Sequence, residues 1–465
     1  MNGTTIKVEK SLKYLGTIID FRLSWDSHIE YITGRTGLIC QSFSQVAKQK
    51  WGLSSKSLSI IYESIYLPTI TYACGTWGWA TTKVHPRRKL ISSQRKILLL
   101  ISKAYRTTSN ASLQVITMKP PIDLVIEEKQ KLYKLKGGKN IIIENRVITQ
   151  QDIEWPSPIS QTLPPEKVIF HNEGAAVEDT LAIYTDGSYH DNSVGCSYVI
   201  YKDNREIDYC KFRLHSDCTI FQAEMHAIKM AIEDINHNFN NHRIKIYTDS
   251  SSSVQTIKNR NLNPTAERIR EIILASTNKF EIEWVRAHKG ETGNERADFL
   301  AKEAAVEKSL PIAYNKLSKN TLCNILRNDT FNKWQNMWNQ HTGHITYQFI
   351  PNLKEFKDNK WYNPNHNCSQ MLTSHGRFAS YLHKFKHCTS KLCPTCNIEE
   401  DGPSHYIYRC PTFERERLEL KVAIQEQKIN WPCRPSDIWT TKSTYMAFDR
   451  MCSQINYINR NQTFT

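Results

Sequence analysis

Two short apolar runs in this chain end in the same way, and that shared ending constrains the fold more than any other feature. Leu181-Ala182-Ile183-Tyr184-Thr185 closes on Asp186 and continues into Gly187-Ser188; Ile244-Lys245-Ile246-Tyr247-Thr248 closes on Asp249 and continues into Ser250. An apolar strand that stops at aspartate ordinarily starts a turn. That explains either aspartate alone, and explains poorly the two together with two further acids. Phe221, Ile228, Ile232 and Ile235 follow helical spacing, and Glu224 falls on their apolar face. A carboxylate there is costly unless it is paired or bound to a cation. The fourth acid, Asp298, lies in a helix that opens at Gly293-Asn294 and runs through Ala305. Just before it, Glu281 to Ala287 alternates like a strand and runs into His288.

Carboxylates gathered in this way cannot all stay ionised without cations. Two divalent ions would resolve the repulsion, activate a water and stabilise the leaving oxygen of a phosphodiester. Magnesium suits such an all-oxygen site. A histidine that titrates near neutrality suits proton shuttling beside it.

These pieces resemble a type 1 ribonuclease H domain. The matching segments are Tyr184-Thr-Asp-Gly-Ser188, Phe221-Gln-Ala-Glu224, Tyr247-Thr-Asp-Ser250, Trp284-Val-Arg-Ala-His-Lys-Gly290 and Gly293-Asn-Glu-Arg-Ala-Asp298, in the family's order. The resemblance implies that Asp186 is shared by two magnesium ions, with Glu224 and Asp249 on one side and Asp298 on the other. It implies a catalytic His288 on a mobile loop. It also implies nucleic-acid contacts by Gln222 and Asn294, with Gly187, Ser188 and Ser250 beside them. The implied substrate is an RNA–DNA hybrid, cut in its RNA strand.

The expected element order is strand 181–186, strand 194–202, strand 205–214, helix 221–236, strand 243–248, helices 251–259 and 265–277, strand 281–286 and helix 294–306. Three successive strands form a meander, and later strands alternating with helices run parallel to the first. The expected fold is therefore α/β, a ribonuclease H-like five-stranded mixed sheet flanked by helices. A mostly α-helical region precedes it and a small zinc-bound module follows.

At 465 residues the chain is long enough for two to four domains. The expected division is 1–136, a linker over 137–178 marked by Gly137-Gly138 and Pro156, Pro158, Pro164 and Pro165, a nuclease domain over 179–308, and a helical region over 309–465. The net charge of +15 favours a polyanionic partner. It is concentrated: from Ser64 to Ile122 there is no Asp or Glu, while Arg87, Arg88, Arg95 and Lys96 lie on a helix with an apolar side. These four are read as phosphate contacts, against the alternative of a solvated helix face. No run of eighteen apolar residues and no apolar N-terminal core occur, so neither a membrane span nor secretion is expected. Thirteen cysteines fit a reducing, intracellular compartment, nucleus or cytoplasm.

Lys13-Tyr-Leu-Gly-Thr-Ile-Ile-Asp20, read as a strand with a glycine inside, is similar with His28-Ile29 to the stretch after the polymerase active site of non-LTR (LINE-like) retrotransposon reverse transcriptases. Gln94-Arg95-Lys96 and Ala104 to Thr108 look like the connecting region of the same polyproteins. No polymerase active-site motif precedes residue 13. Near the other end, Cys393, Cys396, His405 and Cys410 have the spacing of a structural zinc site, within a module at about 388–411. Cys388 and His387 are nearby rivals for a ligand place. The resemblance implies a retrotransposon-derived endonuclease. Alternatives are a non-catalytic nucleic-acid-binding remnant and a transposase or integrase sharing the same kind of sheet.

Overall fold

The computed structural model describes residues 9–48, 52–158, 180–259, 262–286 and 291–460. The chain forms two compact units. One is Lys134–Leu326; the other joins Met1–Tyr133 to Arg327–Thr465. The units therefore divide the chain differently from the four expected segments, because the helical regions on either side of the nuclease segment share one core.

In the Lys134–Leu326 unit, strands β1 (Ile141–Ile143) and β2 (Arg146–Ile148) form a hairpin, followed by β3 (Ile153–Glu154). The expected linker is thus folded along Ile141–Glu154. Ile141, Ile143, Ile148 and Ile153 are buried, and this apolar alternation outweighs the prolines that follow. Residues 159–178 of that linker lie outside the described residues.

The main sheet contains β4 (Thr180–His190), β5 (Ser193–Lys202), β6 (Arg205–Leu214), β7 (Arg243–Thr248), β8 (Lys279–Trp284) and β9 (Ile312–Tyr314), in the order β8-β7-β4-β5-β6-β9. β4, β5 and β6 form the expected antiparallel meander; β7 and β8 run parallel to β4. A short sixth strand, β9, adds to the five expected ones, parallel to β6. A last strand, β10 (Leu317–Ser318), pairs in parallel with β3.

Helices α1 (Ile220–Asn238), α2 (Ser251–Lys258), α3 (Pro264–Ala275) and α4 (Thr292–Val306) cover the sheet. Leu181 and Ile183 of β4, Ile244 and Ile246 of β7 and Ile282 of β8 meet Ile228, Ile232 and Ile235 of α1 and Ile269 of α3 in one apolar core. Ala297 and Leu300 of α4 pack with Val199 in a separate cluster. That helix comes very close to β5: a Cβ on Gly195 would stand 2.4 Å from the Ala301 carbonyl oxygen.

In the other unit, Leu12–Asp20 is not one strand but a hairpin of Ser11–Tyr14 and Thr17–Asp20. Leu15 and Gly16 both have positive φ (44° and 81°), the backbone a tight hairpin turn requires. Helices Asp26–Val46 and Val84–Ser102 pack on each other, and their core includes Trp334, Trp338 and the C-terminal Lys442–Arg460 helix through Phe448 and Met451. Trp334 and Trp338 are buried.

Candidate active site

Parallel pairing of β4 with β7 sets Thr185 opposite Thr248, so the two Thr-Asp endings stand side by side. Asp186 is carried by β4, while Asp249 follows the last residue of β7, where the Trp284 indole N–H donates to its carbonyl at 2.9 Å. Glu224 enters from α1. A Thr219 capping box starts this helix: the Thr219 hydroxyl accepts from the Gln222 N–H, and the Gln222 side-chain oxygen accepts from the Thr219 N–H at 3.0 Å. Gly187 lets the strand and helix meet. A Cβ there would stand 2.6 Å from the Glu224 nitrogen.

One carboxylate oxygen each from Asp186, Glu224 and Asp249 lies within 4.8 Å of the others. Asp186 and Glu224 are each 5% exposed. Burial, then the Asp249 and Asp298 charges, pushes the Asp186 carboxyl up to about 7. Burial and the charges of Asp186 and Asp249 drive Glu224 well above the usual carboxylate range, although the Gly187 N–H opposes this. The Thr248 hydroxyl donates to Glu224 at 3.5 Å. Asp298 comes from α4, held to the sheet where the Ser197 hydroxyl donates to the Ala297 carbonyl at 2.7 Å. Asp298 stands outside the group of three and accepts from Lys302 at 2.6 Å. Lys302 was not among the expected residues, although its i+4 spacing from Asp298 is a readable signal. His288 lies outside the described residues.

The expected nucleic-acid contacts divide into committed and available groups. Gln222 is buried, and its amide donates to Glu154 at 2.6 Å and to the Lys316 carbonyl at 3.1 Å. Glu154 also accepts from Thr265, so Gln222 ties α1 to the β3–β10 pair. Ser188 and Asn294 are buried, and the Asn294 side-chain oxygen has no hydrogen-bond partner among the described residues. Ser250 is half-buried, with its hydroxyl 2.8 Å from that of Ser253. In the other unit Arg87 pairs with Asp123 at 2.6 Å, and Arg95 donates to Asn110 and to the Arg106 carbonyl. Arg88 and Lys96 are exposed.

A second cluster forms where Cys393, Cys396, His405 and Cys410 bring their ligand atoms within 4.8 Å of one another. Cys393 and Cys410 sulfurs are 3.9 Å apart, and the Cys396 sulfur lies 3.3 Å from His405 Nε2. The other His405 nitrogen, Nδ1, is 3.4 Å from Glu399, which Arg409 also holds. A carboxylate behind a histidine in this way fixes ring orientation in metal sites. Cys388 is outside the group and donates to the Ala379 and Ser390 carbonyls.

The RNase H family model matches residues 178–306. Ribonuclease H of Campylobacter jejuni subsp. jejuni serotype O:23/36 (strain 81-176) is 31% identical over 27% of this chain and 92% of that one. The chain belongs to the ribonuclease H family. The ribonuclease H match covers the strands and helices that carry all four carboxylates. The chain is also 29% identical to the Retrovirus-related Pol polyprotein from type-1 retrotransposable element R1 4 of Nasonia vitripennis, over 32% of this chain and 38% of that one. The Putative 115 kDa protein in type-1 retrotransposable element R1DM of Drosophila melanogaster is 29% identical over 29% of this chain and 13% of that one. The chain thus spans well under half the length of these curated relatives, and the expected resemblance to a LINE-like retrotransposon polyprotein with a ribonuclease H domain is borne out by them. No helix among the described residues is long and apolar enough to cross a membrane.

Proposed function

We propose that this ribonuclease H domain is an endonuclease that hydrolyses the RNA strand of RNA–DNA hybrids. The observation that carries the reading is the close set of Asp186, Glu224 and Asp249, two of them buried, with Asp298 near enough to raise the Asp186 carboxyl. Oxygen-only donors squeezed together around a single lysine counter-ion fit hard divalent ions such as magnesium. Two such ions, when bound, would supply water activation and stabilisation of the leaving oxygen. In this reading Asp186 would be shared between the two positions, with Glu224 and Asp249 on one side and Asp298 on the other. Gly187, at the contact of β4 with α1, fixes the spacing between the Asp186 and Glu224 backbones.

The donor set Cys393, Cys396, His405 and Cys410 fits structural zinc. All four tetrahedral places are taken by protein groups, which leaves none for a reacting water. The exposed Arg88 and Lys96 would contribute sequence-independent phosphate contacts.

The test is cleavage of a labelled RNA–DNA hybrid by the full chain, with magnesium present or withheld, beside Asp186→Asn. Magnesium-dependent cutting that the substitution abolishes is expected. Tight hybrid binding without cutting by the unsubstituted chain would favour a non-catalytic binding protein, and cutting of duplex DNA in place of hybrid would favour a transposase-like enzyme.

A further inference from the structure

The acid-free stretch from Ser64 to Ile122 has a counterpart: from Asn359 to Ile398 there is again no Asp or Glu. The two stretches meet within one unit. Thr107 of the first bonds through its hydroxyl to both His375 Nδ1, at 2.9 Å, and the Tyr381 hydroxyl. Tyr105 sets its ring 6.4 Å from that of Tyr381.

From this junction a line of rings runs outward. His375 and Tyr381 have ring centres 5.0 Å apart, Tyr381 and Phe385 5.1 Å, and Phe385 and His387 6.5 Å with planes 27° apart. Phe385 is 49% exposed, so its ring face is open to solvent. Cations flank it. Arg106, Lys384 and Lys386 are exposed, and none has a carboxylate partner among the described residues. Of the acids next along the chain, Glu399 is engaged with Arg409 and His405, buried Asp401 with the Ala379 N–H, and Glu400 is exposed.

Aromatic faces spaced along a strip of unpaired cations match what a single-stranded nucleic acid offers, alternating stackable bases and phosphates. A base-paired helix hides its base faces, and a membrane surface would call for a broader apolar face than one ring. We infer that the Tyr381–His387 strip, with Arg106, is a binding site for single-stranded nucleic acid, with Phe385 as the stacking residue and Lys384 and Lys386 on the backbone. The site is separate from the carboxylate cluster and does not depend on the ribonuclease reading.

The experiment is fluorescence anisotropy of a labelled oligothymidylate of about twenty nucleotides, titrated with full chain across a salt series. A DNA strand is used so that ribonuclease activity has no bearing on the result. Phe385→Ala is expected to weaken binding about 5- to 150-fold, the range for loss of one stacked base, while Phe385→Trp retains it. Lys384→Gln with Lys386→Gln is expected to flatten the log–log salt slope by about 1.4, since each lost phosphate contact on a single strand removes about 0.7. Ultraviolet crosslinking to the same strand is expected to map to the peptide holding Tyr381 and Phe385. Three results would overturn the inference. These are wild-type affinity and slope in all the substituted chains, equal Phe385 dependence for a duplex of the same length, and Phe385-dependent binding to phosphatidylserine vesicles but not to the oligonucleotide.

Discussion

The Lys302 ammonium stands 2.6 Å from the Asp298 carboxylate, one helical turn along α4. It also lowers the Asp186 carboxyl, so it acts as an internal counter-ion to the acidic cluster. A divalent cation held by Asp298 would compete with it. Lys302→Gln is therefore expected to lower the magnesium concentration needed for half-maximal cleavage by a few-fold at most, as befits a half-exposed ion pair. An unchanged or higher magnesium midpoint would refute this.

Glu224 is held as a buried carboxylate against two others, an arrangement that stores repulsion when no cation is bound. Glu224→Gln is expected to abolish hybrid cleavage and yet stabilise the metal-free unit by about 0.5–2 kcal/mol, the usual range when a functional strain is removed. Denaturation with magnesium withheld measures the gain. Adding magnesium should then raise the melting temperature of the unsubstituted chain more than that of the variant.

Gly187 sits where β4 touches the first turn of α1. A methyl group there meets backbone on the helix, not a flexible side-chain end. Gly187→Ala must push helix and strand apart and shift Glu224 relative to Asp186. Expected are a loss of about 1–3 kcal/mol in stability and a fall in cleavage rate of about a hundredfold. A variant with wild-type turnover would show that the carboxylate spacing tolerates this movement.

The carboxylate set was legible because each acid interrupts a strong periodic pattern: Asp186 and Asp249 end matching strands, and Glu224 intrudes on an apolar helix face. Parallel pairing of neighbouring strands then does the rest. The commitment of Gln222 to Glu154 was not legible, since β3 lies 68 residues before it and only two residues long. Nor was the shared core of the two helical regions. Each helix displays an apolar stripe, but periodicity does not say what covers it. In the folded chain Ser369 donates to the Ser102 carbonyl at 2.6 Å across 267 residues of sequence.

The Cys393–Cys410 cluster predicts a metal content. Purified full chain should carry about one zinc per molecule, released on thiol modification. Cys396→Ser should lose that zinc and destabilise the helical unit, leaving magnesium-dependent hybrid cleavage by Lys134–Leu326 intact. Full zinc occupancy in the variant would exclude Cys396 as a ligand.

His28 supplies a pH dependence. Its Nδ1 accepts from the Ile18 N–H at 3.2 Å, which fixes the neutral ring, and its Nε2 is buried with no hydrogen-bond partner among the described residues. Burial lowers its pKa from 6.5 to about 4. The folded pKa is depressed, so the unfolded chain binds the proton more readily between these values. The His28 contribution is complete above pH 6.5 and is lost as pH falls from 6.5 towards about 4. The loss should reach about 1–3 kcal/mol. Urea unfolding of the chain at pH 7 and pH 5 reads it, and His28→Gln should flatten the dependence.

The pairing of β3 with β10 has a consequence in time as well as in space. The strand that enters the nuclease unit, Ile153–Glu154, lies against the strand that leaves it, Leu317–Ser318. During synthesis this unit is complete once Leu326 has left the ribosome. The helical unit, whose halves are Met1–Tyr133 and Arg327–Thr465, must wait for its second half. Domains fold as units as the chain emerges, so Lys134–Leu326 can finish folding before the helical unit does, although helices of that unit are made ahead of it.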